Sequence, residues 1–348
     1  MTQSSALEAA GGLEFPQRAG GEHGALARVA VVLGLLAYVA AMAAAGWWLV
    51  GLLPDRLTVQ SAGHAFTLKN VHHRIVSDGA LVFLILPSAL WIEYAFVGWR
   101  GSSLRQLIFS RSASMKTDLA VFVLGQGHVL DVLGRLMMLG VSMISGLMIR
   151  DWLTATFGLS INAPPMPMPL QVVVYFFVYT FFDYWTHRLD HTRLFWPLHR
   201  YHHAAEDFCV VTSTRQHPAA FTPVFLINIP MAILGAPVEV MIWVNVITVT
   251  LGFLIHSRID SSWGWIGRWL VQSPNHHRLH HKLDMSYATG HFSMAPVWDR
   301  LFGTWYGDAD QSLAIGVEAP YRQGFWIVPD LLRDYWHFWS GFVVKRAA

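Results

Sequence analysis

The sequence predicts an all-α fold: a polytopic membrane helical bundle with a histidine-rich helical cap on its cytoplasmic face. Three observations carry this. The hydrophobic fraction is 54% and the charged fraction only 13%, against roughly 25% charged in soluble domains. Long uncharged runs recur, the first being Val29–Leu53, enough to cross a hydrocarbon core ~30 Å thick. Finally, 12 of the 18 histidines lie between residues 187 and 291, and they gather in blocks that flank the apolar runs.

Residues 1–24 are polar with Gly-Gly pairs and mixed charge, and read as a disordered cytosolic tail. Residues 25–165 read as N-terminal transmembrane helices. Val29–Leu53 is the first and is expected to be retained rather than cleaved; a second runs from about Gly79 to Trp99. A third hydrophobic region, Leu119–Ile149, contains Asp131 and Arg135, an i,i+4 pair able to neutralise itself on one helix face. One crossing by this region, as one helix or two pieces, keeps the membrane alternation. Pro164–Pro169 is a loop whose prolines stand where a helix can begin.

Residues 166–310 form the next expected unit. The aromatic helix Leu170–Trp185 leads straight into His187. Two apolar segments, about Ala219–Leu234 and Val238–Ile255, are joined by Gly235, Ala236 and Pro237, a turn signal that predicts a helical hairpin. Residues 311–348 form a C-terminal segment in which Trp326, Tyr335, Trp336, Phe338 and Trp339 alternate with Asp330, Arg333 and Asp334. This amphipathic pattern suits a helix lying in the membrane interface, and equally one packed on the protein.

Charge orients the chain. Loop 100–117 carries Arg100, Arg105, Arg111 and Lys116; segment 186–217 carries Arg188, Arg193, Arg200 and Arg215. The intervening loops are poorer in Lys and Arg, so the basic segments face the cytoplasm and the histidine blocks end on that side together. A net charge of +2 gives no case for a nucleic-acid partner. The single cysteine, Cys209, excludes an intramolecular disulfide and a cysteine-based metal site.

The blocks are His187-x-x-x-His191, His199-x-x-His202-His203 and His277-x-x-His280-His281. On a helix, residues at i and i+3 or i+4 share a face, so each block can aim imidazoles one way, while adjacent histidines point ~100° apart and can serve two different ions. Eight imidazoles are too many for one ion, which suggests a two-metal centre. Residue type alone leaves iron, zinc and copper open. A zinc protease is disfavoured because Arg188 follows the first histidine where an HExxH motif places its glutamate.

These residues resemble the fatty acid hydroxylase/sterol desaturase superfamily of membrane histidine-box oxygenases. The resemblance runs from about Asp183 to Tyr306. It rests on the three blocks, on Arg215-x-His217-Pro218, and on the closing Trp298-Asp299-Arg300-Leu301-Phe302-Gly303-Thr304. It implies a non-haem centre of two iron ions, replaceable by zinc in a purified protein, with O2 as co-substrate. The reaction implied is hydroxylation, or less often desaturation, of a lipid C–H bond. Reducing electrons would come from an external donor of the ferredoxin, cytochrome b5 or reductase type. The implied metal ligands are His187, His191, His199, His202, His203, His256, His277, His280 and His281, with no catalytic side chain beyond the centre. Asp183, Glu206, His217 and His276 are expected around the ligands. Asp260, four residues after His256, would either supply an oxygen ligand or orient His256. The rival reading is a metal-binding membrane protein without oxidative chemistry, a zinc transporter or sensor; such proteins place ligands within spans near the midplane, whereas these blocks flank spans.

Overall fold

The computed structural model describes residues 25–61, 64–110, 112–137, 144–158, 165–219, 221–283, 290–307, 313–318 and 321–343. The expected tail, 1–24, lies outside them. Helix α1 (Ala25–Leu52) is apolar all round, exposing Val29, Leu33, Leu36 and Trp47, the character of a helix surrounded by lipid. Two strands follow, β1 (Arg56–Ser61) and β2 (His64–Lys69), paired antiparallel with Leu57 opposite Leu68 and Thr58 opposite Thr67. This hairpin corrects the all-α expectation. Its sequences Leu57-Thr58-Val59-Gln60 and Phe66-Thr67-Leu68-Lys69 alternate apolar and polar with period two and so favour strands.

Helix α2 (Leu86–Gly101) continues from a π-helical turn at Leu81–Ile85. Gly98, at φ 65°, takes a backbone conformation that suits glycine, and the chain turns back into α3 (Ser103–Phe109). The turn brings Ser103 against the buried Glu93 carboxylate, which accepts from the Ser103 amide at 2.6 Å and hydroxyl at 2.7 Å. Glu93 also accepts from the Arg258 amide at 2.8 Å, fastening α2 to the end of the helix before His256.

The region expected to cross once, as one helix or two pieces, 119–149, is built of shorter helices among the described residues. It contains parts of α4 (Ala113–Gln126), α5 (Val129–Met137) and α6 (Ile144–Phe157). His128 separates α4 from α5 with φ 58°, and its ring bonds Asp131 at 2.7 Å and Asp78 at 3.1 Å, tying two chain segments together. A 14-residue helix rises ~21 Å, short of the hydrocarbon core. The side chain of Arg135 lies outside the described residues. Among the described residues three helical stretches are long and apolar enough to span: Val29–Leu52, Leu81–Gly101 and Val238–Ile255.

Helix α7 (Met168–Asp190) begins just after Pro167, with Pro169 in its first turn, where the missing amide costs nothing. Helix α8 (Trp196–His203) is short and also opens on a proline, Pro197. Helix α9 (Phe221–Ile233) and α10 (Val238–Ile255) form the expected hairpin through Gly235 at φ 68°. The core between α7, α9 and α10 is built on Tyr175, Phe176, Ile227, Met231, Val240 and Val244, which within a bilayer holds by close van der Waals packing rather than by removal from water. After α10 come three short helices: α11 (Gly264–Trp269), α12 (Pro274–His280) and α13 (Pro296–Leu301). The last helix, α14 (Ile327–Val343), packs against α8 and buries Ile327, Leu331 and Phe338, while Leu332 and Trp336 remain exposed. Both halves of its amphipathic pattern are therefore used: one face packs and another stays open.

Candidate metal centre

The C-terminal ends of α7, α8, α10 and α12 converge. His187 lies in the last turn of α7, and His191 and His256 cap α7 and α10. His202 and His203 close α8, and His280 and His281 close α12. A helix C-terminus carries partial negative charge that favours a nearby cation. Four of them aimed at one place prepare it for positive charge before any side chain is counted.

The side chains sort into two groups. His187, His191, His199, His203 and His280 form one, and His202, His256, His277 and His281 the other; within each, the candidate ligand atoms all lie within 4.8 Å of one another. The structure thus gathers all nine histidines expected to bind metal, and it splits the adjacent pairs His202/His203 and His280/His281 between the two groups. In the first group His199 Nε2 is 3.0 Å from His187 Nε2 and 3.1 Å from His203 Nε2. In the second, the Nε2 atoms close a ring: His202–His256 3.3 Å, His256–His277 2.9 Å, His277–His281 3.1 Å and His281–His202 3.1 Å.

The opposite ring nitrogens explain why those Nε2 atoms are bare. Nδ1 of His187 donates to the Phe292 carbonyl at 2.6 Å, and Nδ1 of His280 to that of Gly290 at 2.7 Å. Nδ1 of His256 donates to Gly252 O at 2.7 Å and Nδ1 of His202 to Arg215 O at 3.2 Å. A carbonyl only accepts, so each of these rings keeps its proton on Nδ1 and presents a lone pair at Nε2. Burial keeps the rings neutral: it lowers His187 and His256 to about 4, and holds the others of both groups well below their usual value. Bare lone pairs ~3 Å apart repel unless a cation sits among them, and two nitrogens bound side by side at ~2.1 Å from one ion would lie about that far apart. Nε2 of His280 and both nitrogens of His191 are buried without a hydrogen-bond partner, a costly state that a metal ion relieves. The donor set fits two cations.

Aromatic rings wall off both groups. Trp196 lies 5.0 Å from His191 and 5.2 Å from His203, and Phe292 lies 5.2 Å from His191. Phe208 lies 5.0 Å from His281 and 5.3 Å from His256.

The residues expected around the ligands are placed differently from one another. Asp183 accepts from the Met294 amide and so meets His187 only through the 292–294 loop. Glu206 is exposed, its amide donating to Ser114. His217 donates from Nε2 to Leu331 O at 3.0 Å and accepts at Nδ1 from the Ala219 amide, which pins α14 and leaves the ring outside both groups. His276 bonds Ser273 and stacks parallel to His291, 5.6 Å away. Asp260 is exposed and accepts from Asn275 at 3.1 Å. Helix α10 stops at Ile255, so the i+4 spacing does not set Asp260 beneath His256.

Other residues support the histidines without having been singled out. Gln272 accepts from His277 Nδ1 at 3.0 Å and donates to His291 O at 2.7 Å. Asp299 accepts from the amides of Phe292 at 2.8 Å and Ser293 at 2.9 Å, and from the Thr304 hydroxyl at 2.8 Å. Gly290 admits no side chain: a Cβ there would stand 2.4 Å from Thr304 O, so the carbonyl that holds His280 depends on glycine. The signal for Asp299 was present in the Trp298–Thr304 motif; nothing in the sequence distinguishes Gln272.

Residues 172–304 match the family model described as Fatty acid hydroxylase. This segment is similar to the fatty acid hydroxylase family. It spans every candidate ligand and ends on Thr304. The chain is 31% identical over 163 residues to the ornithine lipid hydroxylase OlsE of Rhizobium tropici, covering 46% of this chain and 49% of that protein. It is 26% identical over 164 residues to the alkylglycerol monooxygenase of Danio rerio, covering 44% of this chain and 35% of that protein. The chain therefore spans half or less of the length of these two relatives. No solved structure matches it.

Proposed function

We propose that the protein is a membrane-bound non-haem di-iron oxygenase that hydroxylates a C–H bond of a lipid. The observation that carries the reading is the division of nine buried or half-buried histidines into groups of five and four, each offering ring nitrogens within 4.8 Å of one another. The relatives support the lipid: one is named an ornithine lipid hydroxylase and the other an alkylglycerol monooxygenase. His187, His191, His199, His203 and His280 would hold one iron, and His202, His256, His277 and His281 the other. Iron bound there would supply oxygen activation, one atom of O2 entering the C–H bond and the other leaving as water with two electrons and two protons. The electrons come from an external donor of the ferredoxin, cytochrome b5 or reductase type. The chain's own part is to keep nine imidazoles neutral, fix the tautomers of His187, His202, His256 and His280 through backbone carbonyls and of His277 through Gln272, and exclude water with Trp196, Phe208 and Phe292. The basic segments around the histidine blocks favour a cytoplasmic location. A zinc transporter or sensor is not favoured, since the cluster is buried and carbonyl-locked rather than strung along a span.

The test is a comparison of lipid extracts from cells with and without the protein. A lipid gaining the mass of one oxygen, with coupled O2 consumption, is expected for the wild type and is lost in His203→Ala and His281→Ala. Identical lipid profiles with and without the wild-type protein would overturn the reading.

A further inference from the structure

An apolar cavity of about 260 Å³ lies between the end of α7, the start of α9 and the C-terminal helix α14. Leu189, Thr222, Phe225, Leu226, Phe338 and Trp339 are among its walls. Two of these, Phe338 and Trp339, lie beyond the segment shared with the family, which ends at residue 304. Trp339 is 39% exposed and Phe225 49% exposed. These two large rings form the outer rim, with the exposed Phe342 5.7 Å from Trp339.

The inner end of the cavity points toward the metal-binding histidines. The Thr222 hydroxyl donates to Asp190 at 2.6 Å, and the other Asp190 oxygen lies 4.0 Å from His199 Nδ1. Leu189 stands two residues before His191. A molecule in the cavity therefore has one end among exposed apolar side chains and the other a single side chain away from the first histidine group. The walls are apolar apart from Thr222, whose hydroxyl is already used, so a polar headgroup finds no partner inside. Specific ligand pockets usually exceed ~300 Å³, so this one takes a stretch of alkyl chain rather than a whole lipid.

We propose that this cavity is the alkyl-chain subsite of the lipid that is oxidised, and that α14 forms its outer wall and helps set which chain length is accepted. The inference rests on the hydroxylase reading. Its occupant is one hydrocarbon chain entering sideways from the bilayer between Phe225 and Trp339, while the headgroup stays at the surface.

The experiment uses the full chain in lipid nanodiscs and a photoreactive diazirine fatty alcohol, with labelled peptides located by mass spectrometry. Labelling is expected on residues 221–226 and 338–339 and should fall at least tenfold in Leu226→Trp, which fills the cavity. Metal content of that variant must equal wild type, which shows that the histidine centre has folded. In cells, Leu226→Trp should shift the oxygenated products to shorter chains, and the enlarging variant Leu226→Ala to longer ones. Oxygenated lipids of unchanged amount and chain length in both variants, or labelling insensitive to Leu226→Trp, would overturn the subsite and leave the hydroxylase reading intact. Labelling at the cavity with no lipid oxidised by the wild type would overturn the hydroxylase reading and the substrate role together.

Discussion

Phe292 holds His187 by its carbonyl oxygen, 2.6 Å from Nδ1, while its own amide donates to Asp299 at 2.8 Å. One peptide neighbourhood thus connects a candidate ligand of the first group to the Trp298–Thr304 motif. Asp299 also takes the Ser293 amide and the Thr304 hydroxyl, and Thr304 O accepts from the His291 amide. The motif is a brace for loop 290–294, which supplies the carbonyls that orient His187 and His280. Asp299→Asn keeps the shape but replaces a charged acceptor of two amides. Outer partners of metal-binding histidines typically tune metal affinity by ~10–100-fold. The expected result is a loss of metal affinity in that range with the helical content unchanged, read by competitive chelation and circular dichroism.

Two groups imply two separable sites. His191→Ala removes a member of the first group only, and His256→Ala a member of the second only. Each variant should therefore fall from two metal ions per chain toward one, measured by elemental analysis of protein purified in detergent, and each should abolish lipid oxidation. Retention of two ions by both variants would mean that the groups are not the binding sites.

His217 makes the docking of α14 sensitive to acid. Burial lowers its affinity for a proton, with the bond to Leu331 O and the charge of Asp334 acting the other way. Above the ordinary histidine value of ~6.5 both folded and unfolded chains are neutral there, and pH has no effect. Below it the unfolded chain takes up a proton that the folded one resists, so stability falls as pH falls. Protonation at Nδ1 would also break the bond from the Ala219 amide. Hydrogen exchange of residues 327–343 should accelerate as pH drops below about 6.5, after correction for the intrinsic rate. His217→Gln should flatten that dependence.

Eight of the nine histidines were legible in the sequence because candidate ligands on a helix recur at three- and four-residue spacings, and that spacing survives in the linear chain; His256 stands alone in the sequence and was expected only from the family resemblance. The partners that lock their tautomers were not, because four of them are backbone carbonyls, of Phe292, Gly290, Gly252 and Arg215, and a carbonyl has no residue signature. Asp260 shows the opposite failure. Its spacing from His256 suggests a shared helix face, but α10 ends at Ile255 and the carboxylate turns to Asn275. Asp260→Ala is accordingly expected to retain full metal content. Leu119–Ile149 reads as one helix or two pieces, and the break at the left-handed His128 follows Gly125 and Gly127, glycines that can end a helix. The two strands were missed because their alternation covers only six residues each, inside a segment already assigned to a loop.

Arg215 shows how the second histidine group is held in place. Its guanidinium is fully buried and donates to Tyr201 O at 3.0 Å, Asp118 at 3.1 Å, Ser114 at 3.3 Å and Gln323 at 2.5 Å, while its own carbonyl accepts from His202. One side chain thereby joins α4, α8 and the strand of chain leading into α14 around the residue that orients His202. Asp118 is equally buried, so removing the arginine leaves a carboxylate without its countercharge. Breaking a buried pair from one side typically costs ~3–5 kcal/mol, whereas replacing both partners with apolar groups is often neutral. Arg215→Met should lower the thermal midpoint sharply and release metal from the second group. Arg215→Met combined with Asp118→Leu should recover most of the stability, read by thermal denaturation in detergent. Metal affinity separates two roles for Arg215: if the double variant is stable yet still binds only one ion, the arginine positions His202 through the loop it anchors, and if both ions return, its part is confined to neutralising Asp118.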